Sequence, residues 1–400
     1  MRDFVQAGAQ RFQYELIKAL DKNKYHIDVL GLLPLGSARE SGFTKEYYFQ
    51  PIKDLVNDII LLPQIQQSEN KALRLVTNRI AKNFRKLKSV DALLSPFENN
   101  IKGKAEAKLL DILNQYDYVN CAEYDYVFLK NLDFDIHKLL IMVFTSRTQT
   151  YPGCPYVDYD YNKKYNFVAT WFPNNDAFEF ENFKNGYNVC RLKLMIDTSN
   201  FKLVPYPKNS KKLKIGIFTR IDYRLKPLDP FFYAFHILRN RGLDIDLHIY
   251  GAGDSSGFKK QLKTLLIQDN VHFEGHQEDL QDCLDKNGLH LVWFQGVNYE
   301  PGGYAAYEVM GRAVPNMFWD FNPRDFSKPQ GADPYPMFWD IEKFVVYAQH
   351  LLYNLDEAEA LGVAQRNALI ETQAPSKVIS IIENYYDTNN ANSQPATHVS

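Results

Sequence analysis

The chain has 400 residues, of which 46 are Lys or Arg and 48 are Asp or Glu, and its formal net charge of -2 excludes a global field that favours nucleic acid or an anionic membrane. The hydrophobic fraction of 45% and the charged fraction of 24% are those of an ordinary globular protein, long enough for two cores. The four cysteines form no CxxC pair, the start has no secretory pattern, and no apolar stretch is long enough to cross a bilayer. We therefore predict a cytoplasmic protein.

The first half of the chain alternates helical and strand-like patterns. Ala9 to Leu20 carries an apolar stripe at helical spacing, and Ile27 to Leu33 has the continuous apolar character of a buried strand. Further strands are predicted at 126–129 and 139–144, with weaker signals at 167–170 and 192–195. A doubly wound domain normally opens with a buried strand. Here the helix begins almost at once, so the opening strand is predicted to be missing or to lie upstream.

The second half repeats this rhythm more clearly. Strand patterns lie at 213–218, 246–250, 271–273, 289–294 and 316–319, and helical patterns lie between them. Because such alternation builds parallel sheets covered by helices, the predicted fold class is α/β with two Rossmann-like domains. The predicted domains are 1–205, 206–365, and a C-terminal helix with a disordered tail at 366–400. Residues 203–212 form the predicted linker.

An acidic glycine motif follows the predicted strand at 289–294. It runs from Glu300 through Gly302 and Gly303 to Glu308, with seven residues between the glutamates. The two glycines allow close approach of backbone N–H groups to a ligand, and the start of the next helix favours an anion. A carboxylate is a natural acceptor for vicinal sugar hydroxyls. By itself, the motif is equally compatible with a surface helix carrying two unrelated glutamates.

A basic loop follows the predicted strand at 213–218. Arg220 and Lys226 are placed to neutralise a diphosphate, and Arg224 lies between them. The alternative is a solvated basic loop. The carboxyl ends of parallel strands share one edge of a sheet, so this loop and the acidic motif are expected to meet across one crevice. We therefore predict that phosphate-binding and sugar-binding groups share one pocket.

With these motifs in place, the sequence resembles the retaining GT-B glycosyltransferases of the GT4 group. The basic pair has the spacing of that family's diphosphate-binding pair, and the acidic motif has the form of its EX7E motif. Four further segments resemble family motifs, namely AGAQR at 7–11, IDTSNF at 196–201, HIYGAG at 248–253 and VHFEG at 271–275. The resemblance is dense from 213 to 315 and thin from 33 to 129.

The resemblance implies a role for each matching residue. Arg220 and Lys226 would hold the diphosphate of a UDP- or GDP-sugar, Glu308 would bind the ribose, and Glu300 would contact the donor sugar. Gly8 would let a loop of the first domain approach the phosphates. Transfer would retain the anomeric configuration and need neither a cofactor nor a bound divalent metal. The acceptor would be a glycan, a lipid-linked oligosaccharide or a protein.

Several positions depart from the family pattern. Arg147 stands where many members have a histidine near the reacting sugar, and an arginine can donate a hydrogen bond there but cannot act as a base. Ala7 replaces the first glycine of the front loop, and the opening strand is missing. The alternative function is therefore a non-catalytic GT-B module that binds a partner glycosyltransferase or a glycan. A sugar-nucleotide epimerase is disfavoured because its histidine and glutamate pattern is not evident.

Residues 73–88 combine an apolar stripe at helical spacing with six basic residues. Such a helix either binds an anionic membrane, at the inner face of the plasma membrane, or packs on its own domain. The nine histidines form no HExxH motif, and no metal site is predicted.

Overall fold

The computed structural model describes residues 4, 8–32, 46–62, 103, 106–122, 125–126, 129, 132–143, 166–169, 188–222, 226–296, 301–321, 323 and 326–393. The chain divides into two compact units. The first unit comprises Met1–Thr170, Asn175–Arg191 and Ile382–Ser400, and the second comprises Trp171–Asn174 and Leu192–Ile381. Every strand pair in both units is parallel, which confirms the predicted α/β class.

The first unit contains short strands with helices between them. Its helices are α1 (Gly8–Ala19), α2 (Phe49–Lys53) and α3 (106–113). Its strands are β1 (Asp28–Gly31), β2 (Asp58–Leu61), β3 (Val119–Ala122), β4 (Leu139–Val143), β5 (Asn166–Ala169) and β6 (Asn188–Arg191). The apolar stripe predicted for α1 is buried through Phe12, Leu16 and Ile17.

These six strands form two sheets, one of β1 and β2 and one in the order β3-β4-β5-β6. In a doubly wound domain, the first strand lies between the second and the fourth. Among the described residues, no strand occupies that place between β1 and β3. A cavity of about 660 Å³ is lined there by Val29 and Leu30 of β1, Val119 and Cys121 of β3, and Leu16 of α1.

The second unit is built on one larger sheet. Its strands are β7 (Leu213–Phe218), β8 (Ile245–Tyr250), β9 (Val271–Gly275), β10 (Leu291–Gly296), β11 (Asn316–Asp320) and β12 (Met337–Phe338). Its helices are α4 (Asp229–Asn240), α5 (Lys259–Thr264), α6 (Leu280–Asn287), α7 (Tyr304–Met310), α8 (Ile341–Tyr353) and α9 (Leu355–Gln373). The strand order is β12-β11-β10-β7-β8-β9. From β7 the chain adds β8 and β9 on one side, then crosses over and adds β10, β11 and β12 on the other side, so the strand order reverses between β7 and β10.

The core of the second unit lies between this sheet and helices α4 and α8. Trp293 of β10 is fully buried with Phe231 of α4 and Phe344 of α8. The Trp293 ring centroid lies 6.0 Å from that of Phe231 and 5.1 Å from that of Phe344. Aromatic rings bury large apolar areas, and such pairs add about 0.5–1.5 kcal/mol beyond that burial. The sheet that carries the candidate site is therefore firmly supported from this face.

Local sequence signals explain where the helices begin and end. The Asp340 carboxylate accepts hydrogen bonds from the Glu342 and Lys343 backbone N–H groups and so caps α8. The Asp279 carboxylate caps α6 in the same way, and Gly288 ends that helix in the left-handed conformation with φ +56°. These are the residues that N-caps and C-caps prefer. None of the helices in the described ranges combines the length and apolar character needed to span a bilayer.

Three local predictions were wrong. A strand was predicted at 126–129, of which only Tyr126 and Leu129 are described; the Leu129 N–H donates to the Tyr126 carbonyl as in a turn, and the strand before them is β3. The weak strand signal at 192–195 falls just after β6, and 192–198 have no regular structure. The tail after Tyr386 was predicted to be disordered, but the last helix, α10 (Pro375–Ser393), continues through residue 393.

Candidate functional site

The candidate site lies at the carboxyl ends of β7 and β10, the neighbouring strands between which the chain reverses direction. Ligands of doubly wound sheets bind at this position because the loops after the two strands diverge and leave a crevice. A row of stacked aromatic rings crosses the sheet near this edge. The Phe218 ring centroid lies 4.6 Å from that of Tyr250 and 6.4 Å from that of Phe294, which is 6.3 Å from that of Phe318.

The loop after β7 runs alongside the loop after β8 and is hydrogen-bonded to it. The Thr219 N–H donates to the Tyr250 carbonyl at 2.9 Å. A Cβ atom on Gly251 would lie 1.7 Å from the Thr219 carbonyl oxygen, and one on Gly253 would lie 2.0 Å from the Ile221 carbonyl oxygen. Both glycines have positive φ, +154° and +138°. The Gly-Ala-Gly segment is therefore required by close packing of the protein's own backbone, which fixes the loop that carries Arg220.

The basic loop holds its two cations close enough to repel each other. The Lys226 N–H donates to the Asp222 carbonyl at 2.8 Å, which closes a turn after Arg220. Lys226 is half-buried and Arg220 is exposed. Burial lowers the pKa of the Lys226 ammonium, and the Arg220 guanidinium lowers it further. An anion bound between the two side chains would offset both effects.

Gln295, near the end of β10, contacts both the glycine pair that follows the strand and the basic loop. A Cβ atom on Gly302 would lie 1.8 Å from the Gln295 carbonyl oxygen, so only glycine fits there. The Gln295 side-chain amide donates to the Pro227 carbonyl at 2.9 Å, and Pro227 directly follows Lys226. Gly303 has φ +82° and leads into α7. Gln295 thus lies between the Gly302 backbone and the basic loop, and a single pocket shared by the two motifs stays a prediction.

Buried amide groups fix the position of α7. Asn316 at the start of β11 donates its side-chain N–H to the Ala306 carbonyl in α7 at 3.1 Å. Gln365 of α9 accepts from the Asn316 backbone N–H and donates to the Asn316 carbonyl, both at 2.8 Å. Asn316 and Gln365 are both fully buried, so loss of either partner would leave unsatisfied polar groups. This network fixes the helix that carries Glu308.

The segment 196–201 packs at the end of α7. The Arg312 guanidinium lies over the Phe201 ring, with Cζ 4.1 Å from the ring centroid. The same guanidinium donates to the Glu308 carbonyl at 2.7 Å. A Cβ atom on Gly311 would lie 2.6 Å from the Phe201 ring. Phe201 therefore helps to set where α7 ends, a contact that the sequence motif alone did not indicate.

Five of the predicted binding residues lie in the second unit, in the loops after β7 and β10 or on α7. They are Arg220, Lys226, Gly302, Gly303 and Glu308. Gly8 is the first residue of α1 in the first unit, and a Cβ atom on it would meet nothing within 4 Å.

The remaining predicted positions lie outside the described residues. They are Glu300, Arg147, Arg224 and the basic helix at 73–88. Sequence reasoning missed Gln295, because an amide in a strand end carries no sequence signal for the contact it makes.

Known proteins resemble this chain in part of its sequence and in its fold. Residues 200–319 match the family model of the glycosyl transferases group 1, and this segment holds the basic loop, the glycine pair and Glu308. The two-unit parallel α/β architecture is the GT-B glycosyltransferase fold, as predicted. No curated protein gives a significant sequence match.

Solved structures of TarM and HepE share this fold. One structure of TarM is 18% identical with a TM-score of 0.53, and the match covers 72% of this chain and 58% of TarM. A variant of TarM from S. aureus, in complex with fondaparinux, alpha-GlcNAc-glycerol and UDP, is 12% identical with a TM-score of 0.65, covering 97% of this chain and 98% of that chain. HepE of Anabaena, in complex with UDP and glucose, is 12% identical with a TM-score of 0.57, covering 91% and 100%. At these identities the similarity shows the fold alone.

Proposed function

We propose that this protein is a retaining glycosyltransferase that moves a sugar from a UDP- or GDP-sugar to a glycan, lipid-linked or protein acceptor. The observation that carries the proposal is the pairing of Arg220 with the half-buried Lys226 at the carboxyl edge of β7. Two neighbouring cations with a depressed lysine pKa form a site that gains stability when a dianionic group binds. The complexes of TarM with UDP and of HepE with UDP and glucose support a nucleotide-sugar donor.

The proposed chemistry assigns the two cations to the leaving group. The bond from the anomeric carbon to the diphosphate breaks, a bond to the acceptor hydroxyl oxygen forms on the same face, and the hydroxyl proton passes to the released diphosphate. Negative charge builds on the diphosphate as the first bond breaks. Arg220 and Lys226 would stabilise that charge, and removal of one such donor raises a barrier by about 2.7–4 kcal/mol. No metal or cofactor is assigned to this step.

The other predicted residues would orient the sugar nucleotide. Glu308 on α7 would accept hydrogen bonds from the ribose hydroxyls, and Glu300 would do the same for the donor sugar. Gly302 and Gly303 would bring backbone close to the sugar, and Gly8 would bring the first unit's loop close to the phosphates. Arg147 would donate to a phosphate or sugar oxygen near the reacting carbon. These roles rest on the family resemblance and on the arrangement of the two loops of the second unit.

Calorimetric titration with UDP and GDP tests the donor site. Lys226→Met and Arg220→Met should each weaken binding by about 10- to 100-fold, since a hydrogen bond to a charged group contributes about 1.5–3 kcal/mol. Lys263→Met is the matched control, because Lys263 is an exposed lysine in the last turn of α5. Equal affinity in all three variants, or no binding of either nucleotide at millimolar concentration, would exclude the proposed donor site.

The alternative is a non-catalytic GT-B module that binds a partner glycosyltransferase or a glycan. Arg147 in place of a histidine and Ala7 in place of a glycine favour it. The two functions separate in one assay, in which the full chain is incubated with a UDP-sugar and release of UDP is followed with and without glycan acceptors. Nucleotide binding with no acceptor-dependent release would favour the module.

A further inference from the structure

Two strands of the second unit bring three metal-ligating side chains together. Asp246 and His248 lie two residues apart on β8, and His272 lies on β9 directly opposite His248 in the register. Because alternate residues of a strand share a face, all three side chains lie on one face of the sheet. One ligand atom from each residue lies within 4.8 Å of the other two.

Neighbouring groups already orient these side chains. The His248 Nδ1 atom lies 2.8 Å from the Glu274 carboxylate, and the ring centroids of His248 and His272 are 4.9 Å apart. The Asn270 side-chain amide donates to the Asp246 Oδ1 atom at 2.9 Å. A carboxylate that accepts from one histidine nitrogen fixes the ring and its tautomer, which is the usual arrangement around a metal-bound histidine.

The three side chains differ in burial, so the cluster is open to solvent on one side only. The side chains of Asp246 and His248 are only 14% and 12% exposed, whereas that of His272 is 41% exposed. The His272 Nε2 atom lies 3.8 Å from the Asp246 Oδ1 atom. An ion could therefore reach the cluster from the His272 side and lose most of its water on the other side.

We propose that Asp246, His248 and His272 bind a divalent transition metal ion of the zinc type. Two imidazoles and one carboxylate suit zinc, with water in the fourth position. Zinc bonds of about 2.0–2.2 Å place tetrahedral ligand atoms about 3.4 Å apart, so small side-chain rotations would bring the three atoms into range. Glu274 would remain outside the coordination shell and orient His248.

Lys212 competes with the ion for Asp246. The Lys212 ammonium lies 2.8 Å from the Asp246 Oδ1 atom, so the carboxylate has a cationic partner when no metal is bound. Metal binding must displace this ammonium, which is more than one-third exposed and can move into solvent. Removing the Lys212 charge should therefore strengthen metal binding, an effect that no unrelated surface site would show.

The proposed ion would cross-link β8 and β9 at the edge of the sheet. Among the described strands, β9 lies at the edge and pairs with β8 alone, so a metal shared by the two strands would hold the edge in register. His248 is the nearest of the three ligands to the carboxyl edge, and it lies three residues before Gly251, about 10 Å along an extended strand. The metal site is therefore separate from the candidate donor site, and its expected effect is on the stability of the second unit.

Titration of the full chain with Zn²⁺ and with Co²⁺, followed by calorimetry and by thermal unfolding, tests this proposal. The wild-type chain should bind one ion and unfold at a higher temperature when it is loaded. His248→Gln and His272→Gln should weaken binding at least 10-fold, and Lys212→Met should tighten it. His350→Gln is the control, because His350 is an exposed histidine paired with Glu357 on the surface.

Three results would each overturn the proposal. They are absence of one-to-one binding, unchanged affinity in the His272→Gln variant, and unchanged or weaker affinity in the Lys212→Met variant. The His272 side chain is partly exposed, so its replacement should leave the chain folded, and circular dichroism checks this. UDP affinity measured on the same variants should not change, which separates failure of this proposal from failure of the donor site.

Discussion

In the second unit six parallel strands form one continuous sheet, whereas the six described strands of the first unit form a sheet of two and a sheet of four with a cavity between them. Interior voids remove packing contacts, and unpaired strand edges lose hydrogen bonds. The unit that holds the basic loop and α7 therefore carries its own tightly packed support. Arg220, Lys226 and Glu308 therefore belong to a unit whose own sheet is continuous.

Two glycines, one in each unit, give the contrast with the largest expected effect. Gly302→Ala should destabilise the second unit by about 3 kcal/mol or more, because its Cβ atom would lie 1.8 Å from the Gln295 carbonyl oxygen and backbone must move. Gly8→Ala should change the free energy of unfolding by no more than about 0.5 kcal/mol, because no atom of the described residues lies within 4 Å of the added Cβ. Urea denaturation of the two variants measures the difference.

Measurements of UDP binding test the proposed role of Gly8. If Gly8 lets a loop approach the donor phosphates, Gly8→Ala should weaken UDP binding while leaving stability unchanged. A Gly8→Ala chain with wild-type UDP affinity would remove Gly8 from the donor site. Similar unfolding free energies for the Gly302→Ala and wild-type chains would contradict the close backbone contact at Gly302.

Substitutions at two buried cysteines, one in each unit, test the packing of the two units. Cys121 of β3 lines the cavity, and Cys283 of α6 is 2% exposed in the second unit. Cys283→Leu should destabilise the chain by about 1–3 kcal/mol, because added methylene groups overpack a filled core. Cys121→Leu should stabilise it by about 0.5–1 kcal/mol, because the larger side chain fills part of the cavity. Thermal unfolding of both variants, under reducing conditions, checks the opposite signs.

The strands of the second unit were easier to predict from sequence than those of the first unit. The strand at 213–218 was predicted because a central parallel strand is buried on both faces and reads as a continuous apolar run. β2 and β3 have only four residues each, and β3 includes the polar Asn120, so neither gives a period that stands out from its surroundings. The cavity between β1 and β3 depends on packing that no local pattern encodes.

The candidate site was predictable only where spacing along the chain determines position in space. Arg220 and Lys226 follow one strand within eight residues, so their proximity could be expected. The contact of Gln295 with Pro227 spans 68 residues, and that of Asn316 with Gln365 spans 49. Such contacts depend on which strands and helices are neighbours in three dimensions. The Asp246, His248 and His272 cluster was missed for the same reason, because its members join only through the register of β8 and β9.

Lys226 gives a smaller effect that links stability to the proposed donor site. Burial and Arg220 lower the pKa of Lys226 below its ordinary value of 10.5 in the folded chain. Between the lowered pKa and the ordinary value, the unfolded chain therefore binds more protons than the folded chain. The free energy of unfolding should rise with pH across that window, by at most about 1.4 kcal/mol per pH unit.

Comparison with Lys226→Met isolates this contribution from the other titrating lysines. The variant should be more stable than the wild type at neutral pH, because it no longer holds a desolvated charge beside Arg220, and its stability should rise less steeply as the pH increases. Saturating UDP should reduce the wild-type slope, because a bound diphosphate favours the protonated lysine and raises its pKa. Lys263→Met, measured in the same way, should keep the wild-type slope. If Lys226→Met unfolds with the wild-type pH dependence, Lys226 is not held in a desolvated site, and the strongest support for diphosphate binding at this edge of the sheet is lost.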